Sequence, residues 1–319
     1  MDAFEGRFRG LFVPQVTPFD ESGSLDLESL ERLASHLVTQ GVSGLVSCAR
    51  IGEGPLLSIE EKRIVYKVVG EVARKAKLVH VATIAPQSTD EAIRLIGDLE
   101  TLPVDAAMVF PPLLFSWGKV AGEFKYRFFE DIARRANLPL VLFQVPVASY
   151  WYDVETVCRI SEIERVVAYK EASFNVDLFA DTMRHLELRG SKMQVLTGND
   201  RFVARSYALG AKGALIGISN LATHRWAAIN RSAERGNYQE AMSLEEKLSE
   251  LQELVFGEPI VEAVSRIKAI LQHEGIIETD VVRRPQLGVS SAEKKRLVES
   301  YRDRVDRGAE LEATARSHA

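Results

Sequence analysis

The stretch VVAYKEAS, residues 166–173, sets a lysine where lysines are seldom found. Val166, Val167 and Ala168 begin a short apolar, β-branched run of strand character, and Lys170 stands at its C-terminal end. A lysine is almost never fully buried without a partner. Burial disfavours the ammonium, lowers its pKa and leaves a neutral amine able to attack a carbonyl carbon. That is the chemistry of a Schiff-base lysine. The plainer reading is a strand-end lysine whose stem lies along apolar surface while its charge snorkels to solvent. On this segment alone both readings stand.

Whether Lys170 faces a pocket depends on the elements around it. Runs like its own recur at 10–17, 44–49, 78–83, 106–110, 140–144, 166–170, 194–197 and 214–218, with amphipathic helical stretches between them. Ser58 before Glu60-Glu61, and Ser88-Thr89-Asp90 before Glu91, are helix starts. Gly41 and Gly210 are helix ends just ahead of the next strand. Strands apolar throughout imply a parallel sheet covered on its faces. Eight such β-α units predict an α/β protein with a (β/α)8 TIM barrel fold. A doubly wound open sheet is the competing arrangement, but no GxGxxG follows the first strand and no GxxxxGK[ST] occurs anywhere. In a barrel, chemistry belongs at the C-terminal strand ends. Those ends carry Thr17, Arg50, Thr83, Phe110-Pro111, Gln144, Lys170, Gly198-Asn199-Asp200 and Ser219-Asn220, with Lys170 the one lysine among them.

The barrel is expected over residues 1–235 and a C-terminal helical region over 236–319, with helices at 240–256, 259–274 and 291–307 and a frayed end at 308–319. The 319 residues carry 40 basic and 45 acidic side chains, a formal charge of −5, with no basic block ahead of the C-terminal helices to suggest nucleic acid. Cys48 and Cys158 make no disulfide framework and fit a reducing compartment. No apolar run reaches membrane-spanning length and no signal-peptide pattern opens the chain, so a cytoplasmic protein without a membrane partner is expected. The histidines lack metal-ligand spacing, and neither metal nor cofactor is expected. His80, inside the third strand, reads as a satisfied core histidine.

The ordered series GLFVPQVTPFDESGSLD, GVSGLVSCARIGEGPLLSIEEK, DAAMVFPP, LPLVLFQVP, YKEAS, LTGND, ALGAKGALIGISN and RRPQLGVSSAEKKRLVE resembles the dihydrodipicolinate synthase / N-acetylneuraminate lyase family of class I aldolases from Gly10 to about Val298. The resemblance implies that Lys170, in Lys170-Glu171-Ala172, is the imine-forming residue, that the ligand is a 2-oxo acid such as pyruvate, and that the protein is a homo-oligomer, a tetramer or dimer.

Other motifs depart from that family. Its Gly-Thr/Ser-Thr-Gly-Glu turn, whose hydroxyls and amides hold the substrate carboxylate, reads Ala49-Arg50-Ile51-Gly52-Glu53 here. Its Tyr-Asn-x-Pro strand end, with the tyrosine as proton shuttle, reads Phe143-Gln144-Val145-Pro146, and its Pro-Tyr-Tyr/Phe reads Pro112-Leu113-Leu114. Ala148 stands near the position of a further family arginine. Arg50 is either a new anion anchor, forking onto a carboxylate, or a surface residue pairing with a loop carboxylate such as Glu53. Phe143, Leu113 and Leu114 either line a pocket for an apolar substrate body or record lost catalysis. Tyr150 or Tyr152 could supply the missing phenol, or simply belong to a packed aromatic cluster. Arg50, Ile51, Phe143 and Leu215 are the expected substrate contacts.

Two functions follow. One is a Schiff-base lyase, an aldolase or dehydratase, acting on a 2-oxo acid by a reaction other than the standard synthase reaction, since Phe143 has no hydroxyl to move a proton. The other is a barrel that binds a 2-oxo acid without turnover, as sensor or scaffold.

Overall fold

Strands apolar on both faces need cover on both, and the chain supplies it by closing its sheet on itself. The computed structural model describes residues 6–303. Its strands are β1 (Gly10–Pro14), β2 (Gly44–Ser47), β3 (Val79–Ile84), β4 (Ala106–Val109), β5 (Leu140–Gln144), β6 (Val166–Glu171), β7 (Gln194–Thr197) and β8 (Gly213–Leu215). All pair in parallel with their sequence neighbours, and β8 returns to β1 through Gly10–Gly213, Leu11–Ala214 and Phe12–Leu215. The protein is a (β/α)8 barrel. Alternate residues point inward, so Phe12, Val46, Val81, Met108, Val141 and Leu196 fill the interior. Their neighbours along each strand pack outward against the helices.

The connecting helices are α1 (Leu27–Thr39), α2 (Ile59–Ala76), α3 (Thr89–Leu99), α4 (Gly122–Ala133), α5 (Val154–Ser161), α6 (Val176–Leu188), α7 (Val203–Ala208) and α8 (Thr223–Glu234). Their starts are set locally. Ser58 caps α2 through the Glu61 amide while the Glu61 side chain returns to the Ser58 amide, and Ser88 caps α3 through the Glu91 amide. Among the described residues no helix is long and apolar enough to cross a membrane.

Several expected boundaries move, β1 ending at Pro14 rather than 17 and β2 at Ser47 rather than 49. The eighth strand ends at Leu215 rather than 218, because side chains claim the backbone groups beyond it. The Ile218 amide donates to Asp200 Oδ1 (2.8 Å), and Asn220 Nδ2 donates to the carbonyls of Pro14 (3.0 Å) and Gly217 (2.9 Å). The expected helix 240–256 is two, α9 (Tyr238–Glu246) and α10 (Ser249–Phe256). The turn between them buries Leu248 and leaves the Glu245 carboxylate to accept the Val203 and Ala204 amides (both 2.8 Å) at the start of α7. A single 3-10 turn, Ile260–Glu262, precedes α11 (Ala263–His273), and residues 291–303 are helical. The expected boundary at 235/236 falls in the turn between α8 and α9. The expected helical residues 304–307 and the tail 308–319 lie outside the described residues.

The C-terminal helices are fastened to the barrel by a buried charge pair. Lys268 on α11 and Glu53 are both fully buried, with Nζ donating to Glu53 Oε2 (2.6 Å) and to the Val281 carbonyl (2.8 Å). Glu53 Oε1 accepts from the Arg283 amide (2.9 Å) and Gln286 Nε2 (2.7 Å). Burial lowers the Lys268 pKa to about 8, opposed by Glu53. Glu53 occupies a left-handed conformation (φ 55°), and the turn closes over a glycine, since a Cβ on Gly54 would lie 1.7 Å from the Cys48 carbonyl oxygen. Removing one member of such a pair leaves an uncompensated buried charge. Lys268→Met is expected to cost roughly 3–5 kcal/mol in urea unfolding, and adding Glu53→Gln to recover part of the loss. Equal destabilisation by the single and double variants would show that packing, not charge, sets the cost.

Candidate active site at the barrel mouth

Lys170 leaves β6 beside Phe143 of β5 and Leu196 of β7. Its stem passes Gly198, where a Cβ would stand 2.9 Å from Lys170 Cε and 2.7 Å from Ala172 Cβ. The missing side chain at 198 is therefore what admits the lysine. Lys170 is 8% exposed, and its Nζ lies 4.3 Å from the centroid of the Phe143 ring. Phe110 meets that ring edge-on, 4.8 Å between centroids.

These groups border a cavity of about 440 Å3 at the C-terminal ends of the strands. Its wall is largely apolar, with Phe110, Phe143, Val145, Val147, Phe174 and Phe256 contributing, while Lys170, Arg50 and Asp200 bring charge to it. Burial lowers the Lys170 pKa from 10.5 to about 7, with Asp200 opposing the shift and Arg50 adding to it. Burial raises Asp200 to about 6, against the hydrogen bond from Ile218 and the positive charges of Lys170 and Arg50. Arg50 is lowered by burial and supported by Asp200. None of the three forms an ion pair with another, and they act on one another through their charges.

A hydrogen-bonded frame beneath the mouth holds the strand ends. The buried Glu171 carboxylate accepts from Gln144 Nε2 (3.0 Å), the Ser173 amide (3.0 Å) and Asn199 Nδ2 (2.7 Å), joining the ends of β5, β6 and β7. Burial raises the Glu171 pKa and these donors oppose it. Asn199 Oδ1 accepts the Phe174 amide (2.7 Å), holding Phe174 in a left-handed conformation (φ 58°) on the cavity wall. Gln144 Oε1 accepts the Tyr152 amide (2.8 Å), fixing the loop after β5.

Of the residues singled out from sequence, Lys170, Arg50, Ile51 and Phe143 line this one cavity. Leu215 does not. It is fully buried in the barrel interior with Phe12 and Val46, and the cavity is bordered instead by Gly217, in the turn after β8. Among the described residues no carboxylate forms an ion pair with Arg50, and Glu53 is committed to Lys268, Arg283 and Gln286. Leu113 and Leu114 are about half exposed and do not border the cavity at Lys170. Tyr150 reaches the cavity. Tyr152 lies buried against Phe129 (6.3 Å between centroids) with its hydroxyl unpartnered. His80 is bound on both ring nitrogens, to Ser47 Oγ and the Pro103 carbonyl (2.8 Å each), and burial lowers it to about 4. Burial raises the Cys48 thiol to about 12. Among the described residues no cluster of three His, Cys, Asp or Glu side chains could hold a metal ion. Asp200 was legible only as a strand-end residue; the pairing of β6 with β7 sets it on the same cavity as Lys170.

A closed β/α barrel with a buried lysine of depressed pKa at the C-terminal strand ends has the layout of a class I, imine-forming lyase. The chain belongs to the Dihydrodipicolinate synthetase family, whose model matches residues 7–303. It is 32% identical over 298 residues to the 4-hydroxy-tetrahydrodipicolinate synthase of Thermodesulfovibrio yellowstonii, across 92% of this chain and 98% of that one. The corresponding enzyme of Methanothrix thermoacetophila is 33% identical over 253 residues, across 79% and 83%. Among solved structures, a monomeric dihydrodipicolinate synthase variant superposes with a TM-score of 0.87 at 26% identity, covering 97% of this chain and 99% of that one. The Thermotoga maritima dihydrodipicolinate synthase gives 0.85 at 26%, covering 93% and 99%.

Proposed function

We propose that the protein is a Schiff-base lyase acting on a 2-oxo acid, pyruvate or a longer one, through an imine on Lys170, in a reaction other than the standard synthase reaction of its relatives. The observation that carries this reading is the buried Lys170, poised near neutrality in a cavity that also presents an unpaired guanidinium. Its neutral amine attacks the ketone carbon, the carbinolamine loses water, and the resulting iminium withdraws electrons from the adjacent carbon. Arg50 takes the substrate carboxylate with two parallel charge-assisted hydrogen bonds. The apolar wall around Phe143 accepts an apolar body. The departure from the relatives' reaction rests on Phe143, whose ring faces the lysine without a hydroxyl to relay protons. That same missing hydroxyl favours the second reading, binding without turnover.

The decisive experiment is borohydride reduction with a panel of 2-oxo acids followed by intact mass. Wild type is expected to gain the reduced adduct, with a trapping rate that climbs as pH passes about 7, where the lowered pKa frees the amine. Lys170→Ala is expected to lose the adduct, and an adduct persisting in that variant removes the central claim.

Arg50→Ala is expected to weaken 2-oxo acid binding about 10- to 150-fold, the worth of roughly 1.5–3 kcal/mol for a charge-assisted hydrogen bond. Arg50→Lys should restore only part of this, lacking the fork. Unchanged binding in Arg50→Ala would make it a solvated loop residue.

The family resemblance also supports a homo-oligomer, and the exposed Leu113, Leu114 and Val147 near the mouth are consistent with a covered surface. Sedimentation should show a species larger than the 35.5 kDa chain, and a monomer alone at micromolar concentration would remove this reading.

A further inference from the structure

An imine on Lys170 is of no use to a lyase unless a proton can be moved at the carbon beside it. Phe143 cannot move one, and Tyr152 is walled off in the outer core. The cavity wall does hold a buried carboxylate at a fixed place. Asp200 is 5% exposed, follows β7, and borders the same cavity as Lys170. Its side-chain hydrogen bond is to the Ile218 amide through Oδ1 (2.8 Å), with the Gly217 amide close by. A carboxylate has about four acceptor sites, so acceptor capacity remains on a group bordering the reaction space. Its main chain is fixed as well, since Gln252 Nε2 donates to the Asp200 carbonyl from α10. Lys170 and Arg50 are the charges that act on it across the cavity.

We propose that the Asp200 carboxylate carries the C3 proton between the Lys170 imine and its enamine. The inference rests on the imine chemistry proposed above. The carboxylate takes a proton from C3 of the iminium, the C3–H electron pair becomes the C2–C3 double bond, and the C=N π pair returns to nitrogen. The reverse step puts the proton back on C3 and restores the iminium and the carboxylate. No oxidant, reductant or further reactant is consumed. Burial suits Asp200 to this work, because a carboxylate raised to about 6 is still ionised near neutral pH yet is a stronger base than a solvated one.

Asparagine at 200 keeps an acceptor oxygen for the Ile218 amide and removes only the ability to hold a proton. The test follows pyruvate in deuterium oxide, reading C3 hydrogen–deuterium exchange by NMR beside borohydride trapping at Lys170. Wild type is expected to trap and to exchange. Asp200→Asn is expected to trap within a few-fold of wild type while enzyme-dependent exchange falls at least about 100-fold, the lower end of what a positioned base contributes. Exchange within a few-fold of wild type in Asp200→Asn overturns the proposal, as does loss in Tyr150→Phe instead. Loss of trapping together with exchange in a folded Asp200→Asn also overturns it, because Asp200 would then build the site rather than move the proton. Should the asparagine variant not fold, Asp200→Ser, which keeps an acceptor oxygen but cannot hold the proton, reads the same step. Slowed exchange with trapping retained supports the proposal, and wild-type exchange overturns it. Absence of an adduct in wild type defeats the imine reading itself, whereas an adduct without exchange defeats only the role of Asp200.

Discussion

The structure depends on the cost of taking a lysine out of water. At the end of β6 the Lys170 amine has no carboxylate in contact, and burial drives its pKa down. A lysine bonded directly to a carboxylate would be held as ammonium and would be a poor nucleophile. One left in solvent would stay near its ordinary value. The barrel mouth avoids both by surrounding the stem with Phe143, Ala172 and the bare backbone of Gly198, and by setting Asp200 on the same cavity without an ion pair to the lysine. An aromatic face 4.3 Å from Nζ still gives the cation some support, so the charged form is disfavoured without being abolished.

The cavity keeps its shape because two buried glutamates are saturated with donors. Glu171 gathers the ends of β5, β6 and β7, and Glu53 gathers the turn after β2, α11 and the segment around Arg283. Neither lines the cavity. Each has its carboxylate occupied from several elements at once, which fixes the loops that carry Arg50 and Phe174. The contrast with Asp200 is instructive. Glu171 and Glu53 spend their oxygens on the frame, whereas Asp200 keeps capacity toward the cavity.

Family membership and the site residues point in different directions at one level of detail. The relatives named above are 4-hydroxy-tetrahydrodipicolinate synthases. The fold agrees with theirs, and in the proposed reading the turn at Arg50-Ile51 and the ring at Phe143 supply different chemistry around Lys170. A guanidinium binds a carboxylate as hydroxyls and amides do, but brings a full charge. A phenyl ring keeps the shape of a phenol while removing its proton. Conserved architecture with exchanged wall residues is how one fold accommodates several reactions.

Much of this was legible along the chain. Lys170, the apolar runs, the Ser58 and Ser88 caps and the barrel follow from local patterns, because strand burial and helix capping are decided within a few residues. Arg50 was singled out as a strand-end residue, while Ile51 and Phe143 were singled out through the family resemblance, and all three lie on the cavity. What the sequence could not settle depended on distance through space. Leu215 looked like a mouth residue, but β8 stops early because Asp200 and Asn220 claim the backbone beside it, leaving Leu215 in the interior. Glu53 was the nearest candidate partner for Arg50, yet it is consumed by Lys268, 215 residues away in sequence. Tyr150 and Tyr152 stand two residues apart, and only packing sends one to the cavity and the other into the core. Asp200 shares a cavity with Lys170 because β7 pairs beside β6. Sequence alone determined which groups stood at the strand ends, and tertiary structure decided which of them remained free, since pairing and burial are set by neighbours that the chain brings from far away.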